Sequence, residues 1–228
     1  MNKKVCLVTG ASSGIGEHTA IKISEIVDHV YILSRNVAKL ERVNDLVRNN
    51  GSDCTIVPMD LTESNNIKEL AKNIYEKENK IDIIISSAGR ISQLSPISSQ
   101  NKSEIVKTFE LNYLANFLLM KEFLPLLKLS EDGRFIIISS ISNALKSQYW
   151  SGYQPIMTAL NELVGIYAEE NRDIKVNCIC PSAVDTDFRN EIMPGENKNS
   201  ILKPEEIAQK VVKIVQSQSN RSGEIISV

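Results

Sequence analysis

The sequence predicts an α/β fold in which helices cover both faces of one doubly wound parallel sheet of about seven strands. Two observations support this prediction. Short runs rich in Val and Ile alternate with longer segments of helical period along the whole chain, and such alternation requires crossovers between parallel strands. The runs are also apolar almost continuously, as strands buried on both faces of a sheet are.

The predicted elements follow one another in a regular order. Strands are predicted at 4–9, 29–34, 54–59, 81–87, 134–140, 174–180 and 223–228. Helical periods occur near 14–27, 36–49, 64–78, 103–128, 153–170 and 204–217. No linker, repeat or low-complexity segment interrupts this order, so residues 1–228 are expected to form a single domain. Segment 181–203 has no clear period and is predicted to be the substrate-loop region, because long loops in compact domains are often functional.

Charge and composition narrow the classes of partner. The net charge is −2 with both signs interspersed, which does not favour a nucleic-acid-binding surface. No stretch approaches the roughly 18 uninterrupted apolar residues of a membrane span, so no membrane association is expected. The four cysteines have no C-x-x-C spacing. We therefore expect neither disulfides nor a metal site, and a cytoplasmic location.

A glycine-rich turn joins the first strand to the first helix. Residues 9–16 read TGASSGIG, with glycines at Gly10, Gly14 and Gly16. Glycines at this place let the backbone approach a pyrophosphate, and the helix N-terminus offers free N–H groups and a positive dipole end. The turn therefore predicts a Rossmann-type dinucleotide site that also includes Ser12, Ser13 and Ile15; the alternative is a tight turn without a ligand.

The end of the second strand bears on the choice of cofactor. The acidic residue that commonly binds an adenosine ribose there is absent, and the sequence reads LSRN, with Ser34 and Arg35. A guanidinium can pair with a 2′-phosphate, which a carboxylate would repel. Arg35 therefore favours NADP over NAD, which remains the second choice; alternatively, Arg35 is an ordinary solvated arginine.

Together these motifs resemble the short-chain dehydrogenase/reductase (SDR) family over nearly the whole chain, and within it the bacterial YciK-like oxidoreductases. The resemblance continues in MDLT at 59–62, SSAG at 86–89, FELNYLANF at 109–117 and KVNCICPSAVDTDF at 175–188. Two departures are that Ser86 and Ser87 replace asparagines usual in the family and that Ser182 replaces a glycine. The resemblance implies further cofactor-binding residues at Asp60, Leu61, Ser87, Ala88, Gly89, Pro181 and Val184. Asp60 could also cap the helix predicted at 64–78.

The resemblance also implies a reaction, the passage of a hydride between a nicotinamide and a carbonyl or carbinol carbon. Tyr153 would exchange the proton on the substrate oxygen, and Ser140, thirteen residues earlier, would hydrogen-bond that oxygen. Asn112 would support a water in the proton relay. A free phenol has a pKa near 10, so Tyr153 needs help to act near neutral pH.

In the family that help comes from the lysine of Tyr-x-x-x-Lys, but residues 153–157 read YQPIM. Without a charge at Met157, tyrosinate would be roughly 10 to 1,000 times scarcer at fixed pH, because a nearby opposite charge moves a pKa by about 1–3 units. Pro155 is a second departure, since proline fits only the first turn of a helix. Lys107 and Lys146 could replace the lysine, although a surface position is favoured for both.

Three hypotheses follow. The first and favoured hypothesis is an NADP-dependent oxidoreductase that acts on a small carbonyl or alcohol substrate, with proton transfer impaired by the missing lysine. The second is a dinucleotide-binding sensor without turnover, and the third is an interaction protein. The helix at 105–127 is apolar over much of its circumference. As this helix pairs across a two-fold axis in the family, a homodimer or homotetramer is expected.

Overall fold

A seven-stranded parallel sheet forms the centre of the molecule. The computed structural model describes residues 3–140 and 148–228. The strands are β1 (Val5–Thr9), β2 (His29–Ser34), β3 (Asp53–Pro58), β4 (Ile83–Ser86), β5 (Arg134–Ile138), β6 (Lys175–Cys180) and β7 (Ile225–Ser227). Their order across the sheet is β3-β2-β1-β4-β5-β6-β7, and every pair is parallel.

The helices lie on both faces of this sheet. They are α1 (Gly14–Ile23), α2 (Val37–Asn49), α3 (Ser64–Glu78), α4 (Lys102–Phe109), α5 (Ala115–Lys128), α6 (Gln154–Glu170), α7 (Asp187–Ile192) and α8 (Pro204–Gln216). Apolar side chains of α1, α2 and α8 build the core on one face. Those of α3, α5 and α6 build the core on the other face. The predicted fold class, a doubly wound Rossmann-type sheet, is confirmed.

Two segments differ in detail from the prediction. The helix predicted at 103–128 is interrupted by a π-helical turn, Glu110–Leu114, which separates α4 from α5. Such turns insert one residue into an α-helix and occur frequently at functional sites. Within 181–203, where the sequence has no clear period, the chain forms the short helix α7 and a 3₁₀ turn at Lys198–Ser200.

The topology fixes where a ligand can bind. From β1, the strands that follow in sequence lie on one side as far as β3, and those from β4 onward lie on the other side. The connections after β1 and β4 therefore leave toward opposite faces of the sheet and open a crevice at the carboxyl ends of these two strands. Thr9 and Ser86 pair at the ends of the two strands. The glycine-rich turn follows β1 directly, and the site therefore lies at the reversal point of the sheet.

The described residues contain no membrane-spanning helix, no metal site and no disulfide. In residues 3–140 and 148–228, no helix is both long enough and apolar enough to traverse a bilayer. Over the same residues, no three His, Cys, Asp or Glu side chains converge as metal ligands would. All four cysteines are buried as free thiols.

Candidate active site

The glycine-rich turn has a backbone that only glycine accommodates at its first position. Gly10 has φ +66°, and a Cβ there would lie 2.7 Å from the backbone nitrogen of Ala88. The turn after β1 is thus pressed directly against the turn after β4. Ser13, the N-cap of α1, forms no side-chain hydrogen bond to the helix. The first-turn N–H groups of α1 are therefore left without the usual side-chain cap.

Thr9 ties the two turns together. Its Oγ1 accepts hydrogen bonds from the backbone N–H groups of Ser87 at 3.1 Å and Ala88 at 3.2 Å. It also lies 3.4 Å from Ser86 Oγ. Because Thr9 is fully buried, these bonds fix the floor of the crevice before any ligand arrives.

The other end of the crevice is formed at the ends of β2 and β3. The exposed guanidinium of Arg35 lies 3.6 Å from Asp60 Oδ2. Asp60 Oδ1 accepts hydrogen bonds from the Thr62 backbone N–H at 2.9 Å and the Thr62 hydroxyl at 2.8 Å. These bonds, with Arg35 beside them, lower the pKa of Asp60. Asp60 does not cap α3, whose N-cap residue is Glu63.

A single open cleft of about 1550 Å³ joins these features. All three residues predicted to be catalytic contribute to its wall: Asn112, Ser140 and Tyr153. The predicted cofactor-binding residues on the same wall are Gly10, Ser12, Ser13, Gly14, Ile15, Ser34, Arg35, Asp60, Leu61, Ser87, Ala88, Gly89, Pro181 and Val184. Gly16 is not on the wall; a Cβ there would lie 2.2 Å from the Gly10 carbonyl oxygen. Its role is to let α1 pack against the turn.

Tyr153 stands at the inner part of the cleft between two aromatic rings. The centroid of Trp150 is 5.9 Å away in an edge-on arrangement, and that of Phe188 is 6.4 Å away. Burial, and secondarily the neighbouring Cys180, raises the pKa of Tyr153 well above that of an ordinary phenol. The protonated form of Tyr153 is therefore strongly favoured at neutral pH.

Ser140 follows β5 and is held through its backbone. Its carbonyl oxygen accepts a hydrogen bond from Asn161 Nδ2 at 2.9 Å, and Ser139 Oγ donates to Asn161 Oδ1 at 2.6 Å. Asn161 lies on α6 two turns after Tyr153. The amide of Asn161 thus couples the end of β5 to the helix that follows Tyr153.

The side chain of Asn112 is engaged by backbone groups. Its Oδ1 accepts from the Arg90 N–H at 2.9 Å, and its Nδ2 donates to the Arg90 carbonyl oxygen at 2.8 Å. The same Nδ2 lies 3.5 Å from Met157 Sδ. The carbonyl oxygen of Asn112 accepts from Asn116 Nδ2 at 2.7 Å. Asn112 therefore clamps the chain after β4 to the π-helical turn.

Helix α6 begins where proline requires it to begin. Tyr153 is its N-cap residue, and Pro155 lies in its first turn, where the missing N–H leaves no intrahelical bond unmade. Met157, four residues after Tyr153, is 4% exposed; it packs in the core and contributes to the cleft wall.

Comparison with known proteins extends this picture. The model of the short chain dehydrogenase family matches residues 4–197. The chain belongs to the short-chain dehydrogenase family. It is 29% identical over 211 residues to the uncharacterised oxidoreductase YciK of Escherichia coli K12, covering 91% of this chain and 84% of YciK. It is 32% identical over 199 residues to a benzil reductase of Saccharomyces cerevisiae, covering 83% of this chain and 74% of that protein.

A solved structure of the family is similar throughout. A short-chain dehydrogenase from Shigella flexneri 2a, complexed with NADP, superposes with a TM-score of 0.91 at 27% identity. The match covers 100% of this chain and 97% of that chain. The chain is accordingly an SDR-family oxidoreductase with the family's fold along its whole length.

The cleft of this family member contains residues that the sequence analysis did not select. Thr186 follows Val184 in the run PSAVDT, and its methyl group lies 3.0 Å from where a Cβ on Gly14 would stand. It thus meets the glycine-rich turn across the cleft. Its place in a run already assigned to the site was the available signal. The other unselected wall residues include Asn36, Thr62, Arg90, Asn116, Gln154, Ser182, Phe188, Arg189 and Ile192.

The two lysines considered as replacements have different outcomes. Lys107 reaches the cleft wall, but its Nζ pairs with Glu104 Oε1 at 2.9 Å and its side chain is largely exposed. Arg90 pairs with the same carboxylate. Lys146 lies outside the described residues.

The chain's own residues fit a nicotinamide dinucleotide. The tight contact of Gly10 with Ala88 leaves the bare backbone as the floor of the crevice, and the uncapped start of α1 offers donors for a phosphate. Arg35 supplies an exposed cation at the far end of the cleft. The donor set thus matches an anionic, elongated ligand lying across the ends of β1 and β4.

Proposed function

We propose that this protein is an NADP(H)-dependent reductase of small carbonyl compounds, or a dehydrogenase of the corresponding alcohols. The observation that carries the proposal is the union of the glycine-rich turn, Ser140 and Tyr153 in one cleft. The relative complexed with NADP supports the choice of cofactor. Arg35 supports it further, since its exposed guanidinium can pair with a 2′-phosphate.

In this proposal, the bound nicotinamide supplies or accepts the hydride. Tyr153 donates a proton to the substrate oxygen during reduction and removes it during oxidation, while Ser140 hydrogen-bonds that oxygen. Asn112 supports the site by holding Arg90 against the π-helical turn. The aromatic rings of Trp150 and Phe188 flank Tyr153.

We further propose that proton transfer is impaired because Met157 stands where lysine-containing relatives carry a cation. Met157 is uncharged and offers only a weak sulfur acceptor. The raised pKa of Tyr153 agrees with this idea, because no cation among residues 3–140 and 148–228 offsets the cost of burying its phenolate. Reduction needs the protonated phenol and suffers less than oxidation.

A second candidate function is a dinucleotide-binding sensor with little or no turnover. The combination of a raised Tyr153 pKa with an apolar Met157 favours it. The part of the cleft from Gly10 to Asp60, where the adenine half of the cofactor would bind, has no comparable departure from the family pattern. Both candidates use residues 1–228 as one dinucleotide-binding unit, with 181–203 as the substrate loop, and both suit a cytoplasmic protein.

We also propose that the protein forms a homodimer, or a homotetramer built from such dimers. The segment from α4 through α5 exposes an apolar face composed of Val106, Phe109, Tyr113 and Phe117. Phe109 and Phe117 are exposed at 40% and 42%, and the Phe109 and Tyr113 rings stack at 5.0 Å. Two copies of this face would bury these side chains against each other.

Turnover on a panel of aldehydes and ketones tests the catalytic proposal. NADPH oxidation by the wild-type protein, lost in Tyr153→Phe while NADPH binding stays unchanged, is the expected result. Cofactor binding without oxidation of NADPH on any substrate would reject the reductase in favour of the sensor.

A further inference from the structure

The inner wall of the cleft contains a buried amide oxygen that lacks a donor. Asn116 lies on α5, one turn after Asn112, and is 3% exposed. Its Nδ2 donates to the Asn112 carbonyl oxygen at 2.7 Å. Among residues 3–140 and 148–228, no group donates to Asn116 Oδ1. Of the described residues that line the cleft, Asn116 is the one with a buried side-chain oxygen or nitrogen that has no hydrogen-bond partner.

The orientation of this side chain follows from its one hydrogen bond. A backbone carbonyl oxygen can only accept, so the amide nitrogen of Asn116 must face Asn112 and its oxygen must face away. Buried amide oxygens in folded proteins are nearly always paired with a donor from the protein, a water or a ligand. Asn116 Oδ1 is therefore a buried acceptor that has no donor among the described residues.

The neighbourhood of Asn116 is the reactive end of the proposed cofactor site. Asn116 is hydrogen-bonded to the Asn112 carbonyl. The Nδ2 of Asn112 in turn lies 3.5 Å from Met157 Sδ. Met157 lies one turn after Tyr153 on α6. The side chain of Asn112 is occupied by the Arg90 backbone. Of these two asparagines, Asn116 is thus the one that keeps an unpaired oxygen for a ligand.

We propose that Asn116 is a positioning residue for the reaction, whose Oδ1 accepts a hydrogen bond from an O–H group at the inner end of the cleft. That group is a hydroxyl of the nicotinamide ribose or a water held beside it. The inference rests on the proposed function. In this role, Asn116 Oδ1 supplies a polar contact for the nicotinamide half of the cofactor next to Met157, whose side chain has no hydrogen-bond donor.

A pair of variants separates this role from a purely structural one. In Asn116→Thr, the hydroxyl can still donate to the carbonyl four residues earlier, but the amide oxygen that faces away from Asn112 is gone. Valine has nearly the shape of threonine, but Asn116→Val loses both the hydrogen bond to the Asn112 carbonyl and the one proposed for Oδ1. Titration calorimetry with NADPH and with adenosine 2′,5′-bisphosphate, which lacks the nicotinamide riboside, then measures the two halves of the site independently.

The inference predicts that Asn116→Thr weakens NADPH binding by roughly 5- to 10-fold, as loss of one hydrogen bond does, and leaves the affinity for adenosine 2′,5′-bisphosphate unchanged. Asn116→Val should lose as much NADPH affinity and unfold at lower temperature. Equal NADPH affinities of Asn116→Thr and the wild type would overturn the inference. Parallel losses for both ligands would also overturn it, because they would mean a structural role.

The source of the O–H group follows from a cofactor analogue that lacks the 2′-hydroxyl of the nicotinamide ribose. If the ribose is the donor, the wild type binds the analogue as weakly as Asn116→Thr does. If water is the donor, Asn116→Thr still lowers the affinity for the analogue. Wild-type protein that binds neither NADPH nor the bisphosphate would reject the proposed function itself, and the inference with it.

Discussion

In the proposed reductase, Tyr153 and Met157 together would set the direction of the reaction that is favoured at neutral pH. The pKa of Tyr153 is raised by burial, and the nearest position on the following helical turn carries an apolar side chain. A raised pKa keeps the phenol protonated, which serves carbonyl reduction as an acid. The same shift disfavours the phenolate that alcohol oxidation needs as a base. The raised pKa of Tyr153 therefore predicts an enzyme that catalyses reduction better than oxidation at neutral pH.

The pH dependence of alcohol oxidation tests this bias. Because the base is the phenolate and its pKa is raised, log(kcat/KM) for oxidation should climb with pH and show no plateau up to about pH 10, the ordinary phenol pKa. In Met157→Lys, the new cation should lower the Tyr153 pKa by about 1–3 units, so that the plateau appears at lower pH.

The same variant should raise the rate at neutral pH, within the roughly 10²–10⁴-fold that acid–base help contributes. Met157→Leu, which fills the same space without charge, is the matched control and should behave as the wild type does. Unchanged rates in Met157→Lys, measured on protein that still binds NADPH, would mean that the missing charge is not what limits the reaction.

At the scale of elements, the backbone of the glycine-rich turn constrains which residues the site accepts. Gly10 and Gly51 both have positive φ, +66° and +91°, but only Gly10 has neighbours where a Cβ would stand. Gly51→Ala should cost about 1–2 kcal/mol from backbone strain. Gly10→Ala should cost that amount plus about 1–3 kcal/mol of steric overlap with the turn after β4.

Denaturant unfolding of the two variants checks this comparison, and dinucleotide binding adds a second readout. Gly51→Ala should bind NADPH as the wild type does, because Gly51 lies in the turn between α2 and β3, away from the cleft wall. Equal stability and equal binding of the two variants would refute the close contact between the turns after β1 and β4.

The order of elements could be predicted from the sequence because strand and helix periods alternate without interruption. The position of the cleft then followed from topology, since the glycine-rich turn comes first in a parallel sheet. Pro155 likewise indicated the start of α6, because its ring allows only the first turn of a helix.

The interior of the predicted helix at 103–128 could not be resolved in the same way. Its apolar pattern continues through Glu110–Leu114, so nothing in the periodicity reveals that one turn is π-helical. The inserted residue changes which side chains face the cleft. The family resemblance implied Asn112, but the periodicity gave no signal for Asn116, whose interaction with the Asn112 carbonyl depends on the local backbone.

At the scale of the whole molecule, the apolar face of α4 and α5 predicts self-association. Phe109→Arg should convert the oligomer into monomers, because two guanidinium groups would be brought together in a desolvated interface. Tyr75→Arg is the matched control, since Tyr75 is an exposed aromatic residue, at 49%, on α3. Sedimentation velocity gives the answer, and a wild-type protein that sediments only as a monomer would contradict the expectation.

The proposed function requires a dinucleotide held at the reversal point of the sheet, with Arg35 at one end of it. Thermal unfolding with added cofactor tests that claim most directly, because a ligand that binds only the native state stabilises it. NADPH at 100 times its Kd should contribute about 2.7 kcal/mol, NADH should contribute less, and Arg35→Ala should narrow the difference between them. A melting temperature that neither cofactor changes at millimolar concentration would contradict the proposed dinucleotide site.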